Sequence, residues 1–258
     1  MRMARMVGFV AIGLVGLAFA FHFFKKPFEH QIEPAQKISI QPEPFSLPEK
    51  PQMLESHLLH PHLVFDFNQK DALRGWEEKP FLGHTSYKIE FQGAEGVLHS
   101  QSQKNSSAIF YRLKYNLHEY PYISWKWRAK KFPNKESAIS LKDQDDFPAR
   151  LLVVFLSPFF VHIECIEYVW DEKLPEGATH ISPFSSSIRQ LVVQSGPMPD
   201  SSEWVEEFHN ALTDYKRLFG SEPKRKVAAI SLMTDSDGTQ SESEAFYDDI
   251  QIGKEFVQ

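Results

Sequence analysis

The sequence predicts a mainly β protein: an antiparallel β-sandwich or jelly roll over residues 62–258, with one inserted amphipathic helix near the C-terminal third. Three observations carry this expectation. From Leu63 onward apolar and polar residues alternate; Gly, Asn and Pro interrupt the alternation at short intervals; and one stretch, around residues 200–220, shows a helical period. A period of two rich in β-branched and aromatic residues marks half-buried strands. Many short strands of that kind bury their apolar faces by packing as two sheets.

The elements follow in order. Leu63, Phe65 and Phe67 share one face of a first strand, with Val64, Asp66 and Asn68 on the other. Trp76 follows a turn at Gly75, then Tyr87, Ile89 and Phe91 alternate, and Gly96 to His99 opens the next strand. Ile109, Tyr111, Leu113 and Tyr115 oppose Arg112 and Lys114. Ile123, Trp125 and Trp127 oppose Ser124, Lys126 and Arg128, which assigns both tryptophans to the core. Ala149 to Leu156 is almost wholly apolar and reads as a central strand, followed by strands at His162–Trp170 and Arg189–Val193. The helix is expected to start from an N-cap among Asp200, Ser201 and Ser202, with Glu203, Glu206 and Glu207 in its first turns. Trp204, Phe208, Ala211, Leu212, Tyr215 and Leu218 form its core face, and Gly220 and Pro223 end it. Val227–Met233 and Phe246–Ile252 are the closing strands.

Ahead of this body stand two segments of different character. In residues 1–26, Arg2 and Arg5 precede an unbroken apolar run from Met6 to Phe21, and Lys25-Lys26 follows. That is a signal peptide or an N-terminal membrane anchor. Ala18-Phe19-Ala20 has the small-residue spacing of a cleavage site. Residues 27–61 are proline-rich and carry neither period, as in an extended tether. The expectation is an exported body in the periplasm or cell envelope, with the membrane as partner of the N-terminal segment. A net charge of -6 with scattered basic residues argues against nucleic acid as a partner. The single cysteine, Cys165, has no internal disulfide partner and lies in an apolar strand, as a buried thiol does.

The chemistry is less explicit. The sequence lacks a nucleophile elbow, an H-E-x-x-H zinc motif, a phosphate loop and a dinucleotide fingerprint. A carboxylate-pair enzyme stays open, because its acid and base need not be adjacent in sequence. Asp145, Asp146 and Arg150 are candidates for gripping a polar ligand; alternatively Arg150 pairs with Asp146 across the turn at Pro148. Tyr168 and Trp170, at a strand end beside Gly177, are candidates for an exposed platform on which a sugar ring stacks. Asp235, Asp237, Asp248 and Asp249 are metal candidates, calcium being the one cofactor indicated. An EF-hand is excluded: Met233 would occupy the first ligand position, and the segment follows a strand. An Asp237-Gly238 hairpin turn accounts for the same residues without a ligand. His57, His60 and His62 have metal-like spacing, but no further ligand completes a site.

A set of short motifs runs in order along the body. They are W-x-W at Trp125 and Trp127, D-D-x-x-A-R at 145–150, Y-V-W at 168–170 and S-G at 195–196. D-Y at 214–215, F-G at 219–220, T-D-x-D-x-T at 234–239 and the terminal Tyr247-x-Asp249-Ile250 complete the set. This ordered set resembles the bacterial family called domain of unknown function 3047; the resemblance covers about residues 62–253 and implies a bacterial envelope protein with a sandwich-like body, without an established activity. Three functions remain in view. The first is a non-catalytic β-sandwich that binds a polysaccharide or related polar ligand. The second is a glycan-active hydrolase or lyase using paired carboxylates. The third is an envelope scaffold in which the polar residues are structural and the partner is another protein.

Overall fold

The computed structural model describes residues 61–156, 163–198, 200 and 202–254. The N-terminal segment, His57, His60 and almost all of the tether lie outside the described residues. Among the described residues, no helix is long and apolar enough to cross a membrane.

The chain folds as two facing sheets. One has the order β11 (Val205–Asn210), β6 (Tyr122–Lys131), β13 (Glu242–Gly253), β4 (Glu95–Gln103) and β3 (Ser86–Gln92), with β1 (Pro61–Phe65) also paired to β13. The other runs β2 (Trp76–Leu82), β5 (Ser106–Tyr115), β12 (Val227–Asp235), β7 (Ala149–Leu156), β8 (Ile163–Asp171), β10 (Ile188–Ser195) and β9 (Thr179–Ile181). The β-sandwich expectation holds, and β7 is central and buried nearly throughout, as its apolar run implies. Among the described residues, all pairings are antiparallel except β8 with β10, which is parallel.

Alternation sets which residues meet between the sheets. Ile123, Trp125 and Trp127 of β6 face Leu151, Val153 and Phe155 of β7 and Ile166, Tyr168 and Trp170 of β8 in one continuous core. Trp125, Trp127 and Trp170 are fully buried, in agreement with the core assignment of the first two. Gly96 is where the chain after β1 crosses the β3–β4 hairpin. Its N–H donates to Asn68 Oδ1 at 2.8 Å, and a Cβ there would collide with the Phe67 carbonyl. His62 stacks on Tyr120 at 4.1 Å, so its ring serves packing.

The helix is shorter than its pattern suggests. Helix α1 spans Ala211–Phe219; the Asn210 side chain caps it by accepting from the Thr213 N–H, and Gly220 closes it at φ 66°. Residues 205–210, expected within the helix, form β11 along β6. Val205, Glu207 and His209 also alternate, and pairing with β6 satisfies their backbone groups while turning those side chains towards the core. Tertiary pairing thus overrides the acidic first-turn signal.

Candidate functional site

The acidic cluster foreseen around Arg150 exists, but it is an interior network. Asp235 of β12, Arg150 of β7, Glu167 of β8 and Gln190 of β10 make a row across four neighbouring strands, on the face turned away from the other sheet. The loop between β6 and β7 lays Asp145, Asp146 and Phe147 over that row. Arg150 Nε donates to Asp235 Oδ1 at 3.0 Å, Nη1 to Glu167 Oε1 at 3.0 Å, and Nη2 to Asp235 Oδ2 and the Asp145 carbonyl. Gln190 Nε2 donates to Asp145 Oδ1 and Glu167 Oε2, both at 2.7 Å. The Phe147 ring lies 4.5 Å from the guanidinium carbon. Arg150 is 3 % exposed and Asp146 1 %, so no solute touches the row without moving the loop.

Burial alone would lower the Arg150 pKa; Asp235, Glu167 and Asp145 more than reverse that and hold the guanidinium charged. Burial pushes the Asp145 and Asp235 carboxyls up despite the pull of Arg150. Asp146 does not pair with Arg150 across the turn. It accepts from the Gly238 and Thr239 N–H groups and from Thr239 Oγ1, tying the β6–β7 loop to the β12–β13 turn.

Carboxylate oxygens of Asp146, Asp235 and Asp237 lie within 4.8 Å of one another, the grouping a cation would need. Calcium takes six to eight oxygens. Here Asp146 is already engaged by three donors and Asp235 by Arg150 and the Phe147 N–H. Asp248 and Asp249 stand outside this group. Asp249 has φ 47° at a bulge in β13 and accepts from Lys126 Nζ at 2.8 Å, while Asp248 accepts its N–H. Burial raises Asp248 to about 7.

Tyr168 and Trp170 require correction. Both are 0 % exposed and point into the core, where the Trp170 indole donates to the Gly196 carbonyl at 2.8 Å. Neither offers a ring face to a sugar. Placement at a strand end beside a glycine turn suggested exposure, but the opposing β6 tryptophans cover that end.

Tyr168 instead belongs to a second charged cluster. Its hydroxyl donates to Asp214 Oδ2 at 2.9 Å; His209 Nδ1 is 3.1 Å from the same oxygen, and His209 Nε2 is 3.7 Å from Glu207 Oε2. Burial pulls the His209 pKa down, but the hydrogen bond to Asp214 and the nearby Glu207 carboxylate outweigh it and hold the ring up at about 9. The ordinary value is 6.5, so the folded state binds this proton more tightly than the unfolded chain does. The resulting stabilisation is whole below the unfolded value and is lost as pH rises through about 9. Urea titrations should show stability falling by on the order of 3 kcal/mol across that window. In the His209→Gln variant the fall should flatten; an unchanged slope would assign the pH dependence elsewhere.

Sequence reasoning missed the open site. At one side of the sandwich, where edge strands β2 and β3 diverge into different sheets, lies a cleft of about 310 Å³. Trp76, Glu78, Thr85, Ser86 and Tyr87 line it above an apolar floor that includes Ile109. Trp76 packs edge-on against Phe65, centroids 5.1 Å apart, which fixes the wall. Tyr87 donates to the Ser107 carbonyl at 2.6 Å and Thr85 Oγ1 to the Thr234 carbonyl at 3.0 Å, so the polar lining is held in place. The Glu78 carboxylate stands at the rim, 3.1 Å from His84 Nδ1. The one sequence signal was the Gly75-Trp76 turn ahead of an acidic strand.

Fold and site together define a two-sheet β-sandwich with an internally hydrogen-bonded acidic row and a polar, aromatic-walled cleft at one edge. The chain belongs to the family described as Protein of unknown function (DUF3047), whose pattern matches residues 74–251. No curated protein matches the chain. Among solved structures it is similar to the family 11 carbohydrate-binding module of cellulosomal cellulase Lic26A-Cel5E of Clostridium thermocellum, at 11% identity and TM-score 0.42, covering 79% of this chain and 97% of that one. It is also similar to the mannan-recognising carbohydrate-binding module TmCBM27, at 11% identity and TM-score 0.34, covering 78% and 99%. A third is the K3 cleaved adhesin domain of Lys-gingipain from Porphyromonas gingivalis w83, at 9% identity and TM-score 0.35, covering 75% and 99%.

Proposed function

We propose that this chain is a non-catalytic binding module of the cell envelope, exported by its N-terminal segment, whose edge cleft takes a carbohydrate. The observation that carries the reading is the cleft itself. About 310 Å³ lies within the range of small-ligand sites, and aromatic walls meet one exposed carboxylate and the hydroxyl-bearing Ser86 there. A pyranose buries its C–H face on an aromatic ring and directs hydroxyls at acceptors such as Glu78. The candidate carboxylates Asp145, Asp146 and Asp235 are buried around Arg150 and committed to internal hydrogen bonds, which favours binding over catalysis.

Affinity electrophoresis of the full chain in gels cast with different bacterial polysaccharides tests the reading. Retardation in at least one polymer is expected. Glu78→Ala should weaken it roughly ten- to hundredfold, the worth of one hydrogen bond to a charged group, with the melting temperature nearly unchanged. Unaltered mobility in every polymer would overturn the proposal, and a cleared zone would convert the module into an enzyme.

A further inference from the structure

A separate feature of the interior also has ligand chemistry. On the inward face of the paired strands β6 and β11, Glu207 stands opposite Trp125 and Val205 opposite Trp127. Glu207 is 2 % exposed and both tryptophans 0 %. Glu207 Oε1, Trp125 Nε1 and Trp127 Nε1 are all buried without a hydrogen-bond partner. The two indoles meet edge to face, centroids 5.2 Å apart. Three unpaired polar atoms thus fall within two successive cross-strand pairs, a span of directly opposite and diagonal neighbours. Each buried polar group left alone costs folding free energy, and native interiors seldom leave such groups alone.

The sense of the three groups selects the occupant. Two are donors and one is an acceptor, so a bridging group must accept from indole N–H and donate to a carboxylate. An anion would face Glu207, and a cation would face two N–H dipoles and the charged ring of His209, which stacks on Trp125 at 5.5 Å. A neutral hydroxyl satisfies all three groups. The geometry points to an enclosed site beneath edge strand β11 that holds one hydroxyl oxygen, that of a water molecule or of a small polyol, between Trp125, Trp127 and Glu207. Val205, opposite Trp127 on β11, is half-buried. The site is independent of the β2–β3 cleft.

The test uses the full chain labelled with ¹⁵N-tryptophan. Its five tryptophans give five indole signals, assignable by single Trp→Phe variants. The Trp125 and Trp127 indole protons should show cross-peaks to a long-lived water. The Trp170 proton, which donates to the Gly196 carbonyl, is the internal control and should show none. Cross-peaks to glycerol protons on adding glycerol would support the same site with a polyol as occupant. Glu207→Gln keeps an acceptor at the site and should retain the cross-peaks, whereas Glu207→Leu should weaken them several-fold. Should Glu207→Leu fail to fold, Trp127→Phe serves instead and should reduce the Trp125 cross-peak. Trp125 and Trp127 protons as silent as that of Trp170, with and without glycerol, would overturn the inference.

Discussion

Arg150→Met is expected to destabilise the protein by about 3–5 kcal/mol, because it strands several buried carboxylates around a lost cation. Among the described residues, the guanidinium is the one group that touches Asp235, Glu167 and the Asp145 backbone together, and it does so at 3 % exposure. Methionine fills much of the volume, so the loss reports charge rather than a cavity. For a body of this size the melting temperature should fall by roughly 10 °C. Adding Asp235→Asn should recover part of the loss, since the two residues share one network. Denaturant titration of the two single variants and the double variant gives the coupling directly. A loss below about 1 kcal/mol for Arg150→Met would mean that the carboxyls simply take up protons, and that the row contributes little to the fold.

Trp125→Ala should cost a similar amount, about 3–5 kcal/mol, by a different route. The ring bridges the two sheets: it lies 5.2 Å from Tyr168 across the interface, 5.2 Å from Trp127 and 5.5 Å from His209. Removing it opens a cavity that the flanking rigid strands cannot fill. It also withdraws the stacking that positions His209 between Glu207 and Asp214. The variant should therefore show a flatter pH dependence of stability as well as a lower urea midpoint. A drop in midpoint with the full pH slope retained would separate the packing role from the electrostatic one.

Much of the fold was legible because alternation is a local signal. Ile123, Trp125 and Trp127 announced their inward face, and the apolar run from Leu151 announced a strand covered on both sides. β11 was not legible, because Val205 to Asn210 mixes acidic and aromatic residues in a way that suits either period; β6 decides the matter by offering a free edge. The partners of Arg150 were legible only in kind. The sequence brought a carboxylate near, whereas the dominant partner, Asp235, lies 85 positions away and arrives through β12. Tyr168 and Trp170 were misplaced because a strand end says nothing of what packs above it. The cleft was hidden for the same reason, since Trp76, Glu78 and Tyr87 meet only where two edge strands part company.

β13 carries a consequence for the order of events in the cell. It is the last of the described strands, yet it sits inside its sheet, paired with β4, β6 and β1. Although β3–β4 and β6–β11 can pair on their own, the sheet cannot be completed until the segment up to residue 253 has been made. Until then β1, β4 and β6 have no common neighbour, and pairing of β1 with β13 must close a loop of nearly the whole body. Of the described strands, the one made last is thus the one that lets this sheet close.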